Sequence, residues 1–246
     1  MNFYTSITQY YDYIFPVNNI KSKFITDYIY TEGGNVLDIG CSTGGFMKHI
    51  LDKGCVPYGI DLNNDMLKIA KERVPDILSD NIVAANMMDV DKVFDNVKFN
   101  LVFSIGNTVA HLDDIDQLNR LFFGVKNVLA EDGLFIIQVV NYNRYEAGKE
   151  SVLPLIDNDN ISFYREYVWD RHDGRVHFDT VLTDKSTGNE IKNREVLTPF
   201  IPDEIIRQAN DNGFSIVDTF GAFNRNEFIA DSSFAFIIVA RNENKA

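Results

Sequence analysis

Apolar and polar positions follow two different rhythms along this chain. Residues 35–39 (Asn35-Val36-Leu37-Asp38-Ile39), 56–60, 82–85, 100–105 and 134–140 are short, nearly unbroken apolar runs. That is the pattern of strands covered on both faces. Between them, apolar residues recur at three- and four-residue spacing. Ile20, Phe24, Tyr28 and Ile29 predict a helix over 18–30, ended by Glu32-Gly33-Gly34. Phe46, Ile50 and Leu51 predict another over Thr43–Lys53, with Gly54 as its C-cap. Asn63 or Asn64 caps a third, which runs to about Val74 and is closed by Pro75. Ile115–Ala130 reads as a fourth, stopped by Asp132-Gly133. Strands and helices alternating at this spacing imply βαβ units and an α/β fold on a mostly parallel sheet.

After Asn141 the rhythm changes. Residues 161–169, 174–183 and 189–198 are β-rich and joined by Asp173-Gly174 and Ser186-Thr187-Gly188, which are hairpin signals. Pro202-Asp203-Glu204 then opens a helix ending at Asn212-Gly213, and strands follow near 214–220 and 233–241. About 60 residues is thin for an independent core, so 141–200 reads as an insertion folded against the rest. The expected layout is one domain over 1–246. It comprises a helical segment over 1–34, a ligand-binding core over 35–140, the inserted antiparallel sheet over 141–200, and a closing helix with two strands over 201–246.

Length and composition narrow the function. A chain of 246 residues with 45% hydrophobic positions suits one large domain with an insertion. Its 36 acidic against 23 basic residues give a net charge of −13. Such a surface repels phosphate backbones and anionic headgroups, so neither nucleic acid nor a membrane is the expected partner. No apolar run approaches the ~18–20 residues that cross a bilayer. The start MNFYTSITQYYDY has no basic region and no apolar core, so it is not a secretory signal. Cys41 and Cys55 are too few for a disulfide framework and lack metal-ligand spacing. A cytoplasmic setting and no metal are the resulting expectations, with a monomer or homodimer as the state of assembly.

The chemistry concentrates in Val36-Leu37-Asp38-Ile39-Gly40-Cys41-Ser42-Thr43-Gly44-Gly45, a strand, a tight glycine turn and a helix start. Gly40 lets the chain turn and a ligand approach the backbone. Asp61 ends the next strand, 21 residues after Gly40, where a carboxylate can accept both hydroxyls of a ribose. The ligand would lie beyond the carboxyl ends of the strands. Two other readings use the same residues. Gly40-x-Ser42-x-Gly44 fits a serine nucleophile elbow, but it follows the first strand of the sheet, with too little chain before it for an oxyanion loop. Gly40-x-Ser42-x-x-Gly45 fits a dinucleotide fingerprint, except at the glycine that admits a pyrophosphate.

Taken together, these residues resemble the class I S-adenosylmethionine-dependent methyltransferases. Leu37–Gly44 is similar to the family's first motif, with Ser42 replacing its middle glycine. Gly59–Leu67 (GIDLNNDML) resembles the second-strand motif, with the ribose acid at Asp61 and neighbours Leu62 and Met66. Asn86-Met87-Met88-Asp89 resembles the adenine-contacting turn, with Asn86 where aspartate is common. Phe99–Leu112 resembles the fourth strand and its active-site loop. The interposed 141–200 sheet resembles that of small-molecule N-methyltransferases of the glycine/sarcosine and amino-sugar type, which implies that it lies on the substrate side of a cofactor-binding core over 35–140. The resemblance implies a Rossmann-like, seven-stranded, mostly parallel sheet with helices on both faces and a small antiparallel insertion. It also implies S-adenosylmethionine as cofactor and methyl transfer to a small molecule, with an amine nitrogen preferred. A protein that binds the cofactor without catalysis is the alternative.

On that resemblance the cofactor-binding residues are Tyr11, Asp38, Gly40, Ser42, Asp61, Leu62, Met66, Asn86, Met87, Ser104, Ile105 and Gly106. His111, on the loop after the fourth strand, and Tyr142, after the fifth, are the catalytic candidates. Asn107, Asn141 and Arg144 are the substrate candidates, Arg144 as a clamp for a carboxylate. Several have a plainer reading: Asp38 caps a turn, Tyr11 packs an amphipathic helix, Met66 and Met87 fill the core, His111 is structural, and Arg144 is a solvated charge. In the insertion, Arg165, His177, Asp179 and Arg194 either line a polar pocket or face water.

Overall fold

The structure is a computed structural model, and it describes residues 3–145 and 150–243. The chain opens with two short helices, α1 (Phe3–Ile7) and α2 (Tyr11–Ile14), and then α3 (Asn19–Thr26). The core follows as β1 (Asn35–Ile39), α4 (Met47–Leu51), β2 (Val56–Asp61), α5 (Asn64–Glu72), β3 (Ile82–Ala84), α6 (Val90–Val93), β4 (Phe99–Ser104), α7 (Ile115–Val128) and β5 (Leu129–Val140). Next come β6 (Glu150–Val152), β7 (Ile156–Asp157), β8 (Ile161–Trp169), β9 (Val176–Asp184) and β10 (Glu190–Leu197). The chain closes with α8 (Pro202–Asp211), β11 (Phe214–Phe220) and β12 (Ala235–Asn242).

Seven strands form the main sheet in the order β11-β12-β5-β4-β1-β2-β3. The pairs among β5, β4, β1, β2 and β3 are parallel, while β12 runs antiparallel to both β5 and β11. Successive residues of the central strands feed opposite cores, which explains their unbroken apolar runs. On β5, Phe135 and Ile137 pack toward α7 and α8 with Phe122 and Ile205. Leu134 and Ile136 pack on the other face with Phe24 and Ile25 of α3 and Ile50 of α4. Each such side chain contributes about 1.5–3 kcal/mol on full burial. Strand order reverses between β4 and β1, so the carboxyl ends of these two strands open a crevice.

The insertion is a second, antiparallel sheet in the order β10-β9-β8-β6, with β7 also paired to β8. Strands β6 and β7 have no counterpart in the sequence reading, being only three and two residues long. The N-terminal helices pack on this second sheet: Phe3, Ile7 and Ile14 are buried with Ile161, Phe163 and Leu182. They are thereby held over the crevice of the first sheet.

The larger boundary differences from expectation each have a local reason. The helix expected over Thr43–Lys53 begins only at Met47, because Ser42 (φ 46°) and Gly44 (φ 73°) hold left-handed backbone that no α-helix accommodates. Asn18 accepts the N–H groups of Ile20 and Lys21, so α3 starts at Asn19, and it ends at Thr26 rather than residue 30. Helix α7 ends at Val128, since Leu129 already pairs with Phe99 of β4. Asp132-Gly133, expected to stop the helix, instead lies within β5, where Asp132 takes φ 58° beside an irregularity in the β4–β5 register.

Candidate active site

Two adjoining cavities lie at the carboxyl ends of β1, β2 and β4. One, of about 300 Å³, is walled by Asp61, Leu62, Asn63, Met66, Ala85 and Met87. The other, of about 170 Å³, is walled by Asp38, Ile105, Asn107 and Gln138 on the main sheet, and by Arg165, Tyr167 and Leu197 on the second. Tyr4, Tyr11, Gly40, Ser42, Gly106 and His111 line both. The N-terminal helices supply Tyr4 and Tyr11, so the site is enclosed between two sheets and a helical cover.

The turn after β1 is built by backbone hydrogen bonds. Gly40 and Cys41 donate their N–H groups to the Ile60 carbonyl at 2.8 and 3.0 Å. Gly40 adopts φ 77°, and a Cβ there would lie 2.5 Å from Thr108 Cγ2, so glycine is required twice over. Asp61, at the end of β2, accepts the Ser42 N–H on Oδ2 at 2.9 Å and the Asn63 N–H on Oδ1 at 2.8 Å. Asn63 in turn caps α5 through the N–H groups of Asp65 and Met66. Burial raises the Asp61 carboxyl above its ordinary range, and these backbone donors oppose that.

Asp38 is buried on β1, between Gly59 of β2 and Phe103 of β4. Among the described residues no hydrogen-bond donor reaches its carboxylate, and burial with the nearby Asp61 charge pushes it well up. Among the described residues neither carboxyl has an ion-pair partner, although Lys21 and Arg165 line the smaller cavity along with Asp38. On the opposite wall, Tyr4 Oη and His111 Nε2 share a hydrogen bond at 2.7 Å. Burial lowers the His111 imidazole and raises both tyrosines, Tyr11 to about 12.

The structure brings most of the expected cofactor residues together: Tyr11, Asp38, Gly40, Ser42, Asp61, Leu62, Met66, Met87, Ile105 and Gly106 all line the cavities. Asn86 does not. Its Oδ1 accepts the Met88 N–H at 2.9 Å, which sets the turn that presents Met87. Ser104 is also outside the lining, with its hydroxyl donating to the Ile39 carbonyl and tying β4 to β1.

The residues expected to act after β5 lie outside the cavity linings. Tyr142 is buried rather than open to the cavities, and its hydroxyl accepts the Asn107 amide at 2.9 Å. Asn141 donates its amide to the Ala230 and Ser233 carbonyls and so anchors the 221–234 segment. Arg144 lies over the Phe234 ring, 3.9 Å from its centroid, and contributes to neither cavity. Of the substrate candidates, Asn107 alone reaches the cavity, at φ 67°. Its side chain is committed to the Tyr142 hydroxyl and the Val140 N–H, so it shapes the loop.

Other wall residues were missed. Tyr4 and Glu195 lie far from every motif in sequence, and no local signal marks them. Gln138 stands inside an apolar strand, which was a signal: its Oε1 accepts the Gly106 N–H at 2.7 Å. Of the polar residues noted on the insertion, Arg165 faces the cavity. Arg194 pairs with Asp179, and His177 lies 4.0 Å from Asp173. Asp170, Asp173 and His177 gather their ligand atoms within 4.8 Å at the β8–β9 turn, a cluster the sequence reading did not foresee. None of them lines either cavity.

Comparison with known proteins gives a consistent picture. Residues 36–133 match the family model described as a methyltransferase domain. The chain is 26% identical over 140 residues to a ubiquinone biosynthesis O-methyltransferase of Glaesserella parasuis, covering 53% of this chain and 58% of that protein. It is 25% identical over 212 residues to a glycine/sarcosine N-methyltransferase of Aphanothece halophytica, covering 85% of this chain and 76% of that protein. Across three of the curated relatives, this chain spans 49–58% of their length. The solved structure of the CcbJ methyltransferase from Streptomyces caelestis superposes with a TM-score of 0.80 at 20% identity, over 96% of this chain and 95% of that one. Residues 36–133 thus match a methyltransferase domain, and the chain has the class I methyltransferase fold.

Proposed function

We propose that this protein transfers a methyl group from S-adenosylmethionine to a small molecule, with an amine nitrogen as the acceptor atom. The observation that carries the reading is Asp61. It ends β2 on a cavity wall, within the methyltransferase domain, and its oxygens are aimed by two backbone N–H groups.

The residues present fit that cofactor. Asp61 retains acceptor capacity for the two hydroxyls of a ribose. Ile60, Met66, Ala85 and Met87 give the same cavity an apolar wall suited to a purine. Gly106 lines both cavities, and nothing lies within 4 Å of where its Cβ would be, so the backbone is open to a ligand. Asp38, desolvated and without a donor, suits an ammonium group. Lys21, a cation on the wall of the smaller cavity, suits a carboxylate.

When bound, the cofactor supplies a methyl group on a positively charged sulfur. Transfer forms a nitrogen–carbon bond, breaks the sulfur–carbon bond and releases the amine proton to solvent. The chain's residues need mainly to position the acceptor and exclude water. Tyr4 and Tyr11 close the site from above. His111 stays neutral near pH 7 and stands where the cavities meet, so it is the residue best placed to orient the acceptor.

Nitrogen is preferred to oxygen because the alignment with the N-methyltransferase extends over 85% of this chain, against 53% for the O-methyltransferase. The net charge of −13 favours a small molecule over nucleic acid. Among the described residues no helix is long and apolar enough to cross a membrane. The nucleophile-elbow reading gains nothing: the Ser42 N–H is held by Asp61, and His111 Nε2 is engaged by Tyr4. Incubation with methyl-labelled S-adenosylmethionine and a panel of small amines, acids and sugars tests the proposal. Label in an amine product supports it. Binding of the cofactor with no transfer to any member would leave the non-catalytic alternative standing.

A further inference from the structure

The smaller cavity holds a cation that the protein itself does not neutralise. Arg165, on β8, lines this cavity beside Tyr167. Its Nη2 donates to the Pro154 carbonyl at 2.7 Å, while its buried Nε has no hydrogen-bond partner. Among the described residues no carboxylate pairs with it. Arg73, Arg120, Arg194 and Arg225, by contrast, each pair with an aspartate. In a chain with 36 acidic residues, leaving this guanidinium unpaired at a cavity wall is costly unless a ligand supplies the anion.

We propose that the methyl acceptor carries a carboxylate and that Arg165 binds it. The inference rests on the methyltransferase reading above and deepens it: the acceptor class becomes an amine that bears an acid. A single guanidinium matches a carboxylate's single charge. A dianionic phosphate would remain half-neutralised in a cavity that also contains Asp38 and Asp12. Burial already destabilises the charged Arg165 side chain, so a bound anion relieves a cost present in the free protein. Arg165 reaches the cavity from the second sheet, whereas Asp38, Gly40 and Asp61 come from the first. The acceptor's carboxylate is therefore held from the second sheet and the cofactor's ribose from the first.

The test uses matched pairs, short amino acids against their amides, with wild type and Arg165→Gln. Wild type should methylate the acids with a kcat/KM at least about tenfold above that of the amides, the scale of one charge-assisted hydrogen bond. Arg165→Gln should lose that preference through KM, and Arg165→Lys should recover part of it. Calorimetry with S-adenosylhomocysteine should give the same affinity in wild type and Arg165→Gln within about twofold. A second arm titrates acetate and propionate into protein saturated with S-adenosylhomocysteine, and binding should weaken in Arg165→Gln. Equal turnover of acids and amides by wild type would overturn the proposal. So would a fall in S-adenosylhomocysteine affinity in Arg165→Gln, which would place Arg165 on the cofactor. Absence of S-adenosylhomocysteine binding in wild type would instead sink the cofactor reading itself, and is recognised separately.

Discussion

The backbone N–H of Ser42 donates to Asp61 Oδ2 at 2.9 Å, which locks the turn after β1 to the end of β2. Ser42 makes this contact from φ 46°, a conformation that costs a non-glycine residue about 1–2 kcal/mol. The serine that departs from the glycine motif therefore still holds glycine-like backbone.

That relationship sets opposite expectations for two substitutions. Ser42→Gly relieves the strain but loosens the unfolded chain by about 0.4–1 kcal/mol, so stability should change by less than about 1 kcal/mol. Ser42→Val, β-branched in the left-handed region, should cost about 1–3 kcal/mol. Denaturant melts of both variants check this. Equal stability of the two would show that the turn relaxes freely.

Asp38 should act against stability and for binding. Its carboxyl titrates well above the ordinary value in the folded protein, first because of burial and then because of Asp61. Stability from its protonated form is full below the unfolded value of about 3.9 and is lost as pH rises through the raised folded value. Asp38→Asn should therefore be the more stable protein at pH 7, by a few degrees in Tm, with the gap closing toward pH 4. The same variant should bind S-adenosylhomocysteine more weakly. A lower Tm at pH 7 would contradict the account.

His111 carries the opposite sign. Burial lowers its imidazole below 6.5, so its contribution is full above the unfolded value and is lost as pH falls through the lower folded one. An NMR titration should find His111 neutral at pH 6.5. Tyr4→Phe removes the 2.7 Å hydrogen bond to Nε2 and should cost about 0.5–1.5 kcal/mol. A His111 midpoint above 6.5 would mean that the ring is paired with a charge rather than desolvated.

Gly40 tests the tightness of the turn. A methyl group at this position meets Thr108 Cγ2 at 2.5 Å and also requires left-handed backbone. Gly40→Ala should cost about 2–4 kcal/mol. Thr108→Ala in the same chain should recover part of that, because the crowded atoms are its Cγ2 and Oγ1. Additive losses in chemical denaturation would place the strain in the backbone alone.

Much of the fold was legible because each central strand buries both faces. Residues such as Leu134 and Phe135 point to opposite cores, and both must be apolar. Asp38 and Asp61 were legible for the converse reason, as carboxylates where strands should be apolar. How the second sheet reaches the cavities was not. Tyr4, Arg165 and Glu195 reach the cavities only through long-range pairing and the docking of α1 and α2, which no local spacing encodes. The surroundings of Tyr142 and Asn141 were not legible either, because a polar residue at a strand end reads alike whether it faces a ligand or a neighbouring loop. Only the partners, Asn107 and the Ala230 and Ser233 carbonyls, distinguish the two.

The central claim is that Asp61 holds the ribose of S-adenosylmethionine. Calorimetric titration of S-adenosylhomocysteine into wild type and Asp61→Ala, with NAD as control, tests it most directly. The account predicts micromolar binding by wild type, about −8 kcal/mol, and no heat with NAD. It predicts a loss of about 1.5–3 kcal/mol for each charged hydrogen bond removed in Asp61→Ala. Equal affinity in the two proteins, or no wild-type binding at millimolar ligand, would contradict it.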